Sequence, residues 1–271
     1  MKRSPAIRAL RWSGHALVAT ILLFVLLPGA VVAISAFNDR AILQFPPQAW
    51  SLRWFYRAFS YSDFAKGFWN GLTVTIWASS IAVVVGSAFA FAIHRYKFAL
   101  RDLLEGILLS PLIIPHYTIG LGMLILASQT GVSRGFPLVI FAHVVMVLPF
   151  VMRSTYISLE NLDTRLELAA SSLGATPLRI MFTVTIPLLI PGLLSGWLFA
   201  AILSFNEFTA TLFVSSQATQ TLPVAMYNYV REFADPTLAA LSVIYIVVTA
   251  TLLTIANSFL GLGKVLNVDA H

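Results

Sequence analysis

One carboxylate, Glu207, stands in an apolar stretch with Ser204, Asn206, Thr209 and Thr211 around it. An ionised acid inside a membrane is costly unless it faces a wet path or a partner, so such a residue is a candidate for contact with a solute or a proton. The plainer reading is a carboxylate at the outer interface that touches water or a base. Asn206, Glu207 and Thr209 are therefore the substrate-path candidates. Other chemistry is sparse. The five histidines, His15, His94, His116, His143 and His271, form no H-E-x-x-H and no close pair, so no metal site is expected. His116 and His143 are expected to hydrogen-bond to neighbouring helices. G-x-S-x-G is absent, and acids and histidines are too dispersed to supply a nucleophile and its base, so no catalytic residues are assigned. No G-x-x-x-x-G-K-[ST] phosphate cradle occurs either. Gly263-Lys264 comes nearest, with Ser258 in the place of the first glycine. The chain is expected to be no enzyme, to bind no cofactor and to hydrolyse no ATP itself.

Most of the remaining information lies in the polar stretch from Glu160 to Pro191. Leu166, Ala169, Ala170 and Leu173 recur at i, i+3, i+4 and i+7, which predicts a short helix with a narrow apolar stripe. Its other face carries Arg165, Glu167, Ser171 and Ser172. Asp163 or Thr164 can cap its start, and Gly174 supplies a permissive backbone at its end. Thr176 and Pro177 then read as the cap and first residue of a second helix. Helix, sharp bend and helix are expected.

These residues resemble the cytoplasmic loop of permease subunits in binding-protein-dependent ABC importers, whose pattern is E-A-A, three residues, G, nine residues, I-x-L-P. Ala169, Ala170, Gly174, Val184, Ile186 and Pro187 fall on that pattern with its spacing intact. Leu168 occupies the position of the pattern's glutamate, with Glu167 one residue earlier. The resemblance extends over nearly the whole chain and is similar to the spermidine/putrescine-type permeases around Asn38, at His94 to Phe98, at Ser204 to Phe208 and from Thr221. It implies an all-α importer permease whose residues Leu166, Glu167, Leu168, Ala169, Ala170, Leu173 and Gly174 couple to an ATPase. A homologous permease, two ATPase subunits that use ATP and Mg, and a periplasmic binding protein are the implied partners. Polyamine permeases of this type carry two adjacent acids where this chain has Asn206 and Glu207, so aminophosphonates and amino-acid derivatives stay open beside polyamines.

The elements that must position these residues are membrane helices. With 58% hydrophobic and 10% charged residues in 271, and a mean hydropathy of +0.85, the chain is too apolar for an ordinary soluble domain. A membrane helix needs about 20 apolar residues. Six candidates are expected, near residues 14–37, 70–93, 106–129, 136–158, 187–213 and 238–262, within a single permease domain of residues 1–271 that includes an N-terminal anchor at 14–37 and a cytoplasmic hairpin at 160–187. The anchor is expected to stay uncleaved, its apolar run being longer than that of a signal peptide.

The net charge of +6 is scattered over span boundaries and forms no patch with interleaved aromatics, so nucleic acid is not a partner. Of the 17 Lys and Arg, only Arg40, Arg53, Arg57, Lys66, Arg134 and Arg231 fall outside if the N-terminus is cytoplasmic. The excess on the other side places both termini and the hairpin in the cytoplasm of a bacterial inner-membrane protein. Between the first two spans, Ser51 can cap a helix in which Leu52, Phe55, Tyr56 and Phe59 share a face, with Trp50, Trp54 and Trp69 as interfacial belt residues. That helix lies at headgroup depth or docks an external protein. Pro111, Pro115 and Pro149 predict kinks. Gly192 and Gly196 allow close helix approach, within this chain or against a partner. A self-sufficient carrier or channel using Glu207 is the alternative function, and a membrane-bound enzyme stands third. Flux through this chain alone under an ion gradient distinguishes the carrier.

Overall fold

The computed structural model describes residues 5–41 and 45–260. Lys2, Arg3, Gly263, Lys264, His271 and the end of the span expected at 238–262 lie outside them. The described residues are overwhelmingly helical: α1 Pro5–Ser35, α2 Arg53–Ser60, α3 Ser62–Arg95, α4 Arg101–Leu109, α5 His116–Thr130 and α6 Phe136–Glu160 come first. They are followed by α7 Thr164–Ser172, α8 Pro177–Ile180, α9 Ile186–Asn206, α10 Thr209–Val214, α11 Leu222–Glu232 and α12 Thr237–Leu260. A π turn, Met181–Thr185, joins α8 to α9.

Trp12–Ser35, Ser62–Arg95, Phe136–Glu160 and Pro177–Asn206, among the described residues, are each long and apolar enough to cross a membrane. The expected third span is instead a broken pair, Arg101–Leu112 and His116–Thr130, bent by 105°. Pro115 sits at the break and disfavours helical geometry in the residue before it. The fifth ends at Asn206 rather than 213, because the backbone at Glu207 turns extended before α10 starts. The sixth is α12, Thr237–Leu260, whose 24 residues are long enough to cross a membrane.

By internal packing the chain divides into two compact units. One contains the chain up to Ser62 and Asn228–Thr251. Its α1 leaves the 18-residue window at its apolar centre with no buried residue, as suits a helix solvated by lipid. Its small core joins Ala36, Trp54, Ala239 and Ala240, and Trp54 Nε1 donates to the Asn38 carbonyl at 2.7 Å. Trp54 is thus a core residue and not the belt residue expected. The α2 face that is buried is Trp54 and Ala58, which leaves Leu52, Tyr56 and Phe59 exposed. Leu52, not Ser51, occupies the cap position, although the Ser51 hydroxyl accepts from the Arg53 N–H at 3.2 Å.

The other unit, Asp63–Tyr227 with the chain from Leu252, is organised around α6. Val147 and Val151 of α6 pack with Ala82 of α3 and Ala200 of α9, and Met152 and Leu159 with Ala90, Ile93 and Leu189. Lipid removes the hydrophobic drive between helices, so close approach of small residues carries the packing. A Cβ on Gly192 would collide with the Ser158 hydroxyl, and one on Gly196 would lie 3.3 Å from Ser154 Cβ. The glycine pair therefore serves α6 of the same chain, and Ser154 Oγ donates to the Gly192 carbonyl at 3.0 Å.

Candidate functional site

The hairpin between α6 and α9 is shaped by its own sequence. Asp163 Oδ1 accepts the Arg165 N–H at 2.9 Å and starts α7, and Thr176 Oγ1 accepts from Arg179 N–H ahead of Pro177. At the bend Gly174 has φ of 82°. The Ala175 N–H donates to Ala170 O and the Gly174 N–H to Ser171 O, at 3.1 and 2.9 Å, which is the bonding of a Schellman cap. A left-handed backbone costs about 1–2 kcal/mol for a residue with a side chain, more when it is β-branched. No atom lies within 4 Å of a Cβ at Gly174, so the cost there is conformational alone. Transport is accordingly expected to fall from Gly174 to Ala to Val in uptake assays. Equal rates for Gly174→Val and the parent would mean that the bend does not need this dihedral.

The hairpin's apolar side chains are presented outward. Leu166, Leu168 and Leu173 are 48, 65 and 89% exposed, Ala169 is exposed and Ala170 half-buried. Leu168 lies on the other side of α7 from that stripe, where it helps line a cavity with Thr164 and Ser171. Glu167 behaves differently. One guanidinium nitrogen of Arg95, Nη2, lies 2.6 Å from both its carboxylate oxygens, and Thr185 Oγ1 donates to Oε1 at 2.6 Å. Partial burial opposes its ionisation, but the hydrogen bonds from Arg95 and Thr185 and the Arg95 charge outweigh that and hold the carboxyl below its ordinary range. A depressed value in the folded state means that the contribution is complete above the ordinary 4.5 and lost as pH falls through the lower folded value. The clamp is therefore intact near neutrality. Arg95 and Thr185 were not legible as site residues, since Arg95, at the end of α3, meets Glu167 across 72 positions.

A second constellation forms where the two helix breaks meet. Glu207, just past α9, accepts the Ala210 N–H on Oε1 at 2.8 Å and so caps α10, while Oε2 lies 2.7 Å from His116 Nδ1 at the start of α5. A carboxylate only accepts, so the ring nitrogen donates. The Glu207 side chain is 10% exposed against 45% for His116. Behind them His143 is fully buried between Ser204 and Thr211, each 2.8 Å from a ring nitrogen. His143 thus hydrogen-bonds to neighbouring helices as expected, whereas the partner of His116 lies in the break between α9 and α10. Asn206 is exposed and donates to Ile202 O, and Thr209 is half-buried at the first turn of α10. No group of three or more potential metal ligands occurs among the described residues.

Comparison with known proteins places the chain in a family. The family described as "Binding-protein-dependent transport system inner membrane component" matches residues 82–262. The spermidine/putrescine transport system permease protein PotC of Haemophilus influenzae is 27% identical over 244 residues, covering 90% of this chain and 94% of the relative. The molybdenum transport system permease protein ModB of the same organism is 35% identical over 172 residues, 58% of this chain and 73% of its own. Among solved structures, a bacterial ABC transporter involved in the import of the acidic polysaccharide alginate aligns with a TM-score of 0.70 at 15% identity, over 94% of this chain and 98% of that one. The chain therefore belongs to the binding-protein-dependent transport system inner membrane components, and is a multi-pass transport subunit of that family.

Proposed function

We propose that this permease carries a small polar, amine-bearing solute such as a polyamine across the bacterial inner membrane, beside a homologous permease and driven by two ATPase subunits. The observation that carries the coupling part is the α7 hairpin: a self-capped helix that leaves Leu166 and Leu173 exposed on one side suits insertion into a groove of an ATPase subunit. Both termini and this hairpin lie in the cytoplasm in this reading, and ATP and Mg bind the partners. Nucleotide binding draws the ATPases together, tilts the coupling helices and switches a cavity at the permease interface from inward-facing to outward-facing. A periplasmic binding protein then releases its cargo near Glu207. The solute assignment is supported by the name of the polyamine relative, and Glu207 is the acid that would meet an amine.

Enlarging Ala170 tests the reading, since a helix seated closely in a groove has no room for an indole. In Ala170→Trp, copurification of the ATPase subunits is expected to fall by about thirtyfold or more, the effect of losing about 2 kcal/mol at an interface hot spot. Membrane insertion should survive. Undiminished copurification together with normal substrate-stimulated hydrolysis would remove the coupling assignment.

A further inference from the structure

The resemblance groups Glu167 with the residues that couple to the ATPase, yet its side chain is 16% exposed while Leu166 and Leu173 of the stripe are 48 and 89% exposed. We infer that Glu167 is an internal positioning residue, which with Arg95 and Thr185 forms a clamp that makes the coupling helix, the end of α3 and the start of α9 move as one body. This rests on the reading of α7 as the coupling helix and adds how its motion reaches the membrane.

Three observations carry it. First, α7 buries none of its residues completely, so no apolar core fastens it to the rest of the unit. Behind it lies a cavity of about 480 Å³ whose lining includes Phe91, Arg95, Tyr96, Glu167 and Thr185. The polar bonds across that space are what tie the helix down. Second, the partners come from the two helices that must respond. Arg95 is the last residue of α3, its guanidinium carbon 5.7 Å from the Phe91 ring centre, and Thr185 is the last residue of the π turn leading into α9. Third, Thr185 is 2% exposed and spends its hydroxyl hydrogen on Glu167 Oε1. A π turn carries an extra residue in its ring, a feature frequent at functional positions; here it ends at the side chain that holds the carboxylate. With both Glu167 oxygens on Arg95 and one also on Thr185, the acid serves this chain.

The test uses the complete importer, with both permeases, the ATPases and the binding protein, in proteoliposomes. Glu167→Gln is expected to keep the ATPase subunits on copurification, to lose most of the stimulation of hydrolysis by the loaded binding protein, and to lower solute taken up per ATP hydrolysed by at least about tenfold. Thr185→Val, which keeps the shape of a buried side chain, should lower that ratio a few-fold. Exchanging the charges in Arg95→Glu/Glu167→Arg should recover part of what either single replacement loses. Loss of the ATPase from Glu167→Gln would make Glu167 a docking contact and overturn the clamp, as would parental coupling in both Glu167→Gln and Thr185→Val. Either result leaves the coupling helix itself standing, because that assignment falls only with Ala170→Trp.

Discussion

Gly120→Val is expected to abolish accumulation of the folded permease, and Gly122→Val, two residues along the same helix, to be close to parental. A Cβ on Gly120 would lie 2.7 Å from Ala210 Cα and 2.8 Å from its carbonyl oxygen, whereas nothing lies within 4 Å of one on Gly122. Backbone cannot rotate out of the way as a side chain can. The added atoms must push α5 from α10, and overpacking of this kind costs about 1–3 kcal/mol, with a collision against main chain at or beyond the upper end. Function is hit as well. Gly120 lies one turn beyond His116 on α5, and Ala210 donates its N–H to Glu207, so separating the helices pulls the His116–Glu207 pair apart. Thermal unfolding in detergent and the monodisperse yield read out the first effect, and uptake the second. A Gly120→Val protein that elutes, melts and transports like its parent would show that α5 and α10 do not touch.

The other large effect is expected at Glu207. Glu207→Gln keeps size and can still accept the Ala210 N–H, but it has no charge to offer to a solute or to His116. Uptake is expected to fall by about tenfold or more, the equivalent of about 1.4 kcal/mol in the rate-limiting complex, while the complex still assembles. The control is His116→Asn, which removes the partner and leaves the carboxylate. A solute-binding acid predicts a loss of only a few-fold there. Equal losses in the two variants would mean that Glu207 serves merely to hold the ring, and parental kinetics in Glu207→Gln would leave it an interfacial carboxylate.

How much of this was legible in the sequence follows from the range of the interactions. The hairpin was, because Asp163, Gly174 and Thr176 act on backbone within a few residues of themselves. Unbroken spans were too, being set by runs of apolar residues. The break at Pro115 announced itself only as a kink, and the one at Glu207 carries no proline or glycine; it arises where the carboxylate takes an N–H of the next helix. Polar pairs 72 and 91 positions apart leave no trace in local pattern. In α2 the spacing put Leu52, Phe55, Tyr56 and Phe59 on one face and Trp54 among the interfacial belt residues, but the indole of Trp54 has a carbonyl to bond inside and is buried. Between an importer subunit and a self-sufficient carrier, the family match decided for the importer.

The close seam between α6 and α9 has a geometrical consequence. Ser158 against Gly192 and Ser154 against Gly196 leave little room for one helix to slide past the other, so the two behave as a single rod. One end of it carries the hairpin, and Glu207 follows the other after the 21 residues of α9. At about 1.5 Å per residue that rod is about 30 Å long, so a tilt of about 10° about the hairpin end would sweep the Glu207 end through about 5 Å with no bending within α9.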